Sequence, residues 1–115
     1  MIDFNGDTAF THNTLEALSA RSKAAIHNIA NQNVPGFKRY TVRFEDKLRE
    51  AVEAGQSEAT VKPEVERDTS GPRGENNVVV MEELALLGKT SLLHDYMARR
   101  AGSYFKHINK AIFGR

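Results

Sequence analysis

The chain has 115 residues, 40% hydrophobic and 27% charged, which fits one small domain and excludes a multidomain enzyme. It contains no cysteine, so disulfide scaffolds, thiolate catalysis and cysteine-bound zinc or iron–sulfur sites are ruled out. The net charge of +1 hides a division into +2 over residues 1–44, −6 over 45–88 and +5 over 89–115, an asymmetry suited to contacts between segments or copies of opposite sign.

Residues 1–10 combine Asn5-Gly6 and Asp7-Thr8 with scattered apolar residues and show no period, so a disordered start is expected. The start has neither the basic nor the apolar segment of a cleaved signal, and no run nears the ~20 apolar residues of a membrane span. From Thr11 the pattern changes. Leu15, Leu18, Ser22, Ala25 and Ile29 alternate steps of three and four, predicting a helix over 11–33. Asn31-Gln32-Asn33, Pro35 and Gly36 end it, because proline disfavours helix before it and glycine frees the turn.

Phe37 to Phe44 reads as extended, with Tyr40, Val42 and Phe44 on one side, and Glu45 to Ala54 as a short helix closed by Gly55. Residues 55–75 carry Gly55, Pro63, Gly71, Pro72 and Gly74 among charges and read as a flexible arm. The last segment, 76–115, is the most regular. Val80, Leu84, Leu87, Ser91, His94, Ala98, Ala101, Phe105, Ile108 and Ile112 keep heptad spacing through a helix over 78–112. Asn77 is placed to cap its start, and Glu82-Glu83 reads as a solvated acidic pair at the positive end of the helix dipole.

The fold class expected from these elements is all-α. The N- and C-terminal helices pair like an elongated coiled coil, joined by the extended segment, the short helix (completing an 11–54 unit) and the arm. An assembly seam of Leu15, Leu18, Ala25, Ile29, Leu84, Leu87, Ala98, Ala101, Phe105, Ile108 and Ile112 exceeds what a single hairpin covers.

Catalytic readings find little support. Gly88-Lys89-Thr90 resembles the tail of a phosphate loop, but Glu83 stands where its partner glycine belongs and the stretch continues a helical stripe. His12, His27, His94 and His107 lack the close spacing that puts two imidazoles on one metal. No Gly-x-Ser-x-Gly elbow occurs. No cofactor and no small-molecule substrate are expected. Arg99, Arg100, Lys106, Lys110 and Arg115 invite a nucleic-acid reading, but the region is a heptad helix with residues committed to packing, and no nucleic-acid partner is expected.

Two motifs carry a resemblance. Asn28-Ile29-Ala30-Asn31-Gln32-Asn33-Val34-Pro35-Gly36-Phe37-Lys38-Arg39 resembles the N-terminal signature of bacterial flagellar rod and hook proteins, with Val34 where threonine is usual. Gly74-Glu75-Asn76-Asn77-Val78 leading into the last helix looks like the proximal rod members of that superfamily, with Val79 where aspartate is usual. The motif residues singled out are Asn28, Ala30, Asn31, Pro35, Gly36, Phe37, Lys38, Asn76, Asn77 and Val78. The resemblance implies a structural subunit of the basal-body rod, a periplasm-spanning cylinder. It implies passage through the flagellar type III export apparatus, and as partners other rod proteins, further copies and the protein joining the rod to the membrane ring. A helical-hairpin adaptor or secretion chaperone holding one partner helix is the alternative.

Overall fold

The computed structural model describes residues 4–114 and, within them, the side chains of all but Phe4, Asn5, Tyr104, Phe105 and Ile108. Two long helices, α1 (Phe4–Ala30) and α3 (Val80–Phe113), run antiparallel against each other. Between them lie strand β1 (Tyr40–Arg43), helix α2 (Glu45–Glu53), one 3-10 turn (Glu58–Thr60) and strand β2 (Glu64–Arg67). The molecule measures 59 × 33 × 14 Å with a radius of gyration of 17.6 Å, against about 13 Å for a compact chain of this length.

The protein is thus mostly helical, with one small sheet that an all-α reading omits. β2 pairs antiparallel with β1, Val42 facing Val65 and Tyr40 facing Arg67, so part of the expected flexible arm is an ordered strand. All four residues of β2 are exposed, which leaves no alternation of burial to betray it. The pairing is reinforced by Arg67, whose guanidinium lies 3.9 Å from the Tyr40 ring centroid and 5.2 Å from that of Phe37. It also donates to the Lys38 carbonyl at 3.0 Å and to the Tyr40 hydroxyl.

α1 begins at Phe4, ahead of the expected start at Thr11 and within the segment read as disordered. Its first turns are held from outside. Phe10 and Leu15 border a groove whose other walls come from the 52–59 segment and from Met97 and Ala101 of α3. Tertiary partners of this kind override weak local signals.

α1 uses two faces. Ala17 and Ala24 join Val42, Phe44, Ala51 and Val61 in the core, with Ala20, Tyr40 and Leu48 packed against it. The face bearing Leu15, Leu18, Ser22, Ala25 and Ile29 is left for α3, and Leu18 and Ala25 on it are buried. Beside the core, buried Asn13 donates to the Ala59 carbonyl (3.1 Å) and accepts from Lys62 Nζ (2.9 Å), tying the 3-10 turn to α1.

On α3 the inward positions are Glu83, Leu87, Thr90, His94, Met97 and Ala101, all buried or half-buried. The predicted seam shares Leu87 and Ala101 with this set, but Leu84, Ala98 and Ile112 are exposed. The intrachain contact therefore keeps Val80, Leu87, His94 and Ala101 of the stripe that hydrophobicity picks out, but takes Glu83, Thr90 and Met97 in place of Leu84, Ser91 and Ala98. The reason is that polar Glu83 and Thr90 occupy inward positions. The side chains of Phe105 and Ile108 lie outside the described residues.

Phe44 is the largest aromatic in the core, at the junction of β1 and α2. Phe44→Ala is expected to cost about 3–5 kcal/mol, whereas Val65→Ala on the exposed strand costs under about 1 kcal/mol, both read from urea unfolding midpoints.

Candidate functional site

The two sequence motifs, some forty residues apart, meet at one end of the hairpin. Helix α1 ends there at Ala30, and the N–H groups of Asn31 and Gln32 take the carbonyls of His27, Asn28 and Ile29. The Asn76 side-chain amide donates to the carbonyls of Asn31 (2.9 Å), Gln32 (3.2 Å) and Val34 (2.7 Å), and so ties down the turn that follows the helix. Its Oδ1 accepts from the Val78 N–H at 2.8 Å, which turns the chain toward α3.

Asn77 does not cap α3 as expected. Its Oδ1 accepts from the Arg39 N–H (2.7 Å), and its amide donates to the carbonyls of Asp68 (2.6 Å) and Ser70 (3.2 Å). The capping position belongs to Val79, whose side chain accepts nothing. Asn28, fully buried, pairs with both backbone groups of Tyr40, donating to its carbonyl at 2.9 Å and accepting from its N–H at 2.8 Å. An asparagine on a helix thus takes the place of a neighbouring strand for β1. Lys38 Nζ reaches the carbonyls of Pro72 (2.9 Å) and Ser70 (3.3 Å), securing the loop before the second motif.

An ion-pair chain runs beneath these contacts. Arg39 Nε meets Glu83 Oε1 at 2.5 Å and Arg39 Nη1 meets Asp68 Oδ2 at 3.1 Å. Glu83 is 1% exposed rather than solvated, and its Oε2 has no hydrogen-bond partner among the described residues. Burying such a carboxylate is tolerable only with a close cation, which Arg39 supplies. Two other carboxylates have depressed pKa values. Asp68 is lowered chiefly by hydrogen bonds from Ser70, with Arg39 assisting, and Glu45 chiefly by its hydrogen bonds from Arg21. Both therefore add stability that is present above the ordinary carboxylate range, about pH 4, and is lost as pH falls through their lowered values.

Of the remaining motif residues, Ala30 and Pro35 are exposed at the turn, and Phe37 and Val78 are half-buried. Phe37 sits 5.9 Å from the His27 ring and 6.1 Å from that of Tyr40. The assembly residues are not gathered into one place. Leu18 and Ala25 are buried and Leu15 and Ile29 half-buried, whereas Leu84, Ala98 and Ile112 are exposed.

Sequence reasoning missed a second stripe on α3. Met81, Ala85, Gly88, Leu92 and Tyr96, spaced by four, three, four and four, fall on the helix face opposite α1. Met81 is 75% and Leu92 74% exposed, and Tyr96 is exposed as well. The spacing was legible; that this face, and not another, stays uncovered was not. Among the described residues no group of three or more metal-ligating side chains converges, and Thr90 of the phosphate-loop-like triplet is buried mid-helix.

No family model matches the chain. The flagellar basal body rod protein FlgB of Borreliella burgdorferi is 29% identical to it in an alignment 132 residues long, covering 95% of this chain and 97% of that protein. The helical hairpin, the two interlocked motifs and this full-length likeness make flagellar axial proteins of the rod type the class that the chain resembles. Within that class the chain is a homologue of the basal-body rod protein FlgB. No helix among the described residues is long and apolar enough to cross a membrane.

Gly36 adopts φ +72°, and a Cβ there would meet the Gly74 carbonyl oxygen at 3.5 Å, ordinary contact. The demand for glycine is conformational rather than steric. Gly36→Ala is expected to cost about 1 kcal/mol or more and Gly36→Asn less, because asparagine tolerates the left-handed region; denaturant midpoints of the two variants give the order.

Because Val79 holds the uncapped position where the rod resemblance places aspartate, Val79→Asp is expected to raise stability by about 1 kcal/mol through a new side-chain acceptor for the first turn. The gain shows as a higher unfolding midpoint at pH 7 that disappears when the new carboxylate is protonated.

Proposed function

We propose that this chain is a mechanical subunit of the flagellar rod, packed beside other rod proteins and further copies, and transmitting torque without turnover. Its remaining partners are the protein joining the rod to the membrane ring and the flagellar type III export apparatus, through which it passes unfolded. The observation that carries this reading is the outward stripe of α3. Large apolar residues 74–75% exposed on a long helix face are a surface for another helix, not a folding surface. The flat hairpin behind it supports the reading, since both motifs are spent on fixing the relative position of α1 and α3. Nothing in the argument requires a bound small molecule or nucleic acid.

The test is complementation of a deletion strain, scored for motility and for completeness of purified basal bodies. Leu92→Asp is expected to leave helicity and the thermal midpoint of the isolated chain near wild type, because the side chain is already exposed, yet to abolish motility and rod incorporation. Leu92→Met is expected to restore both. Motility that survives the deletion itself favours a small adaptor that holds a single partner helix.

A further inference from the structure

At the far end of the hairpin, away from the motifs, an open groove of about 910 Å³ is bounded by the first turns of α1, the 52–59 segment and α3. Its apolar walls include Phe10, Leu15, Val52, Ala59, Met97 and Ala101. Asp7 and Glu58 also line it, together with His12 and Arg100, and Glu53 is the immediate neighbour of Val52. None of Asp7, Glu53 and Glu58 has an ion-pair partner among the described residues, although most other carboxylates of α2 and β2 do.

Beyond the groove, α3 continues to Phe113. Its last turns present Ile112 and Phe113, 67% and 68% exposed, on a segment that also bears Lys106 and Lys110. These lysines likewise have no ion-pair partner among the described residues. The overhang cannot enter the groove of its own molecule. Sixteen residues separate Phe113 from Met97 on one continuous helix, a rise of about 24 Å.

We infer that the groove receives the last turns of α3 from a second copy of this chain, Ile112 and Phe113 entering between Phe10, Val52 and Met97 while Lys106 and Lys110 face Asp7, Glu53 and Glu58. The apolar character matches on both sides, and the lysines answer the carboxylates of Asp7, Glu58 and neighbouring Glu53, with Arg100 the like-charged side chain of the lining. In this head-to-tail arrangement, each copy that fills one groove leaves its own groove open to the next and the contact propagates, whereas two copies exchanging overhangs would close as a dimer. This inference rests on the rod reading, in which copies stand beside one another, and adds the segment that joins them.

The absence of cysteine gives a clean test. Val52→Cys and Phe113→Cys both alter exposed positions and are expected to leave the fold intact. In the full chain carrying both changes, mild oxidation is expected to give a concentration-dependent ladder of dimers, trimers and longer species. A mixture of the two single variants is expected to give a cross-linked pair and nothing longer, at a rate at least ten-fold above homodimers of either alone. Lys106→Glu with Lys110→Glu should suppress the ladder, and adding Glu53→Lys with Glu58→Lys should restore it. Homodimers forming from a single variant as fast as from the mixture, a double variant that stops at dimers, or no cross-link at any concentration overturns the inference. A deletion strain complemented by the double variant separates this failure from that of the rod reading. Motility without cross-links removes the groove contact and leaves the rod subunit, whereas motility of the deletion strain itself removes the rod.

Discussion

The structure depends on what happens to the carbonyl groups at the end of α1. A helix that stops in the open leaves four of them to water, and the stop is then soft. Here the N–H groups of Asn31 and Gln32 take the carbonyls of His27, Asn28 and Ile29, and the Asn76 side chain takes those of Asn31, Gln32 and Val34 in the turn that follows, reaching it from a segment more than forty residues later that leads straight into α3. The end of one helix and the beginning of the other are thus the same piece of structure. Asn77 adds the backbone of Arg39 to the joint, and Arg39 then reaches the buried carboxylate of Glu83 on α3. Breaking any one of these contacts loosens the angle between the long helices before it touches the core.

The same joint explains why a buried ion pair stands where apolar residues would serve stability as well. Replacing such pairs by hydrophobic side chains is often neutral or favourable, so Arg39–Glu83 is weak as a source of stability. Its value is directional. A carboxylate at the first turn of α3 that must find one particular guanidinium fixes the rotation of that helix about its axis. That rotation turns Met81, Leu92 and Tyr96 outward. A slip of one residue would bring Leu84 inward in place of Glu83 and carry the outward stripe around with it.

Much of the fold was legible in the residues. The spacing of Leu15, Leu18, Ala25 and Ile29 marked positions of α1 that are buried or half-buried, Pro35-Gly36 marked the turn, and the alternation of Val42 and Phe44 marked β1. What escaped had partners distant in sequence. β2 is four exposed residues after a proline, recognisable only through its pairing with Tyr40–Arg43. The first turns of α1 are shaped by Met97 and Ala101, about ninety residues away. The inward register of α3 was misread in part because periodicity counts apolar residues, whereas polar Glu83, held by Arg39, and Thr90 sit inside. Asn76 and Asn77 were legible as a motif of a known class, while their work at the helix end was visible only in three dimensions.

The thinness of the molecule links stability to assembly. Its smallest dimension, 14 Å, is little more than one helix diameter of about 10–12 Å, so nearly every side chain lies within one layer of a surface. The core inside that layer is built largely from alanines, Ala17, Ala24 and Ala51, which let elements approach closely but bury little area each. At roughly 25 cal/mol per Å², such a core gives modest stabilisation, whereas Met81, Leu92, Tyr96, Ile112 and Phe113 hold large apolar area in reserve on the outside. For a subunit that travels unfolded and becomes rigid among its neighbours, as proposed above, this division is an advantage. Weak internal burial keeps the isolated chain easy to open, and the outer stripes add their area only when a second surface removes them from water.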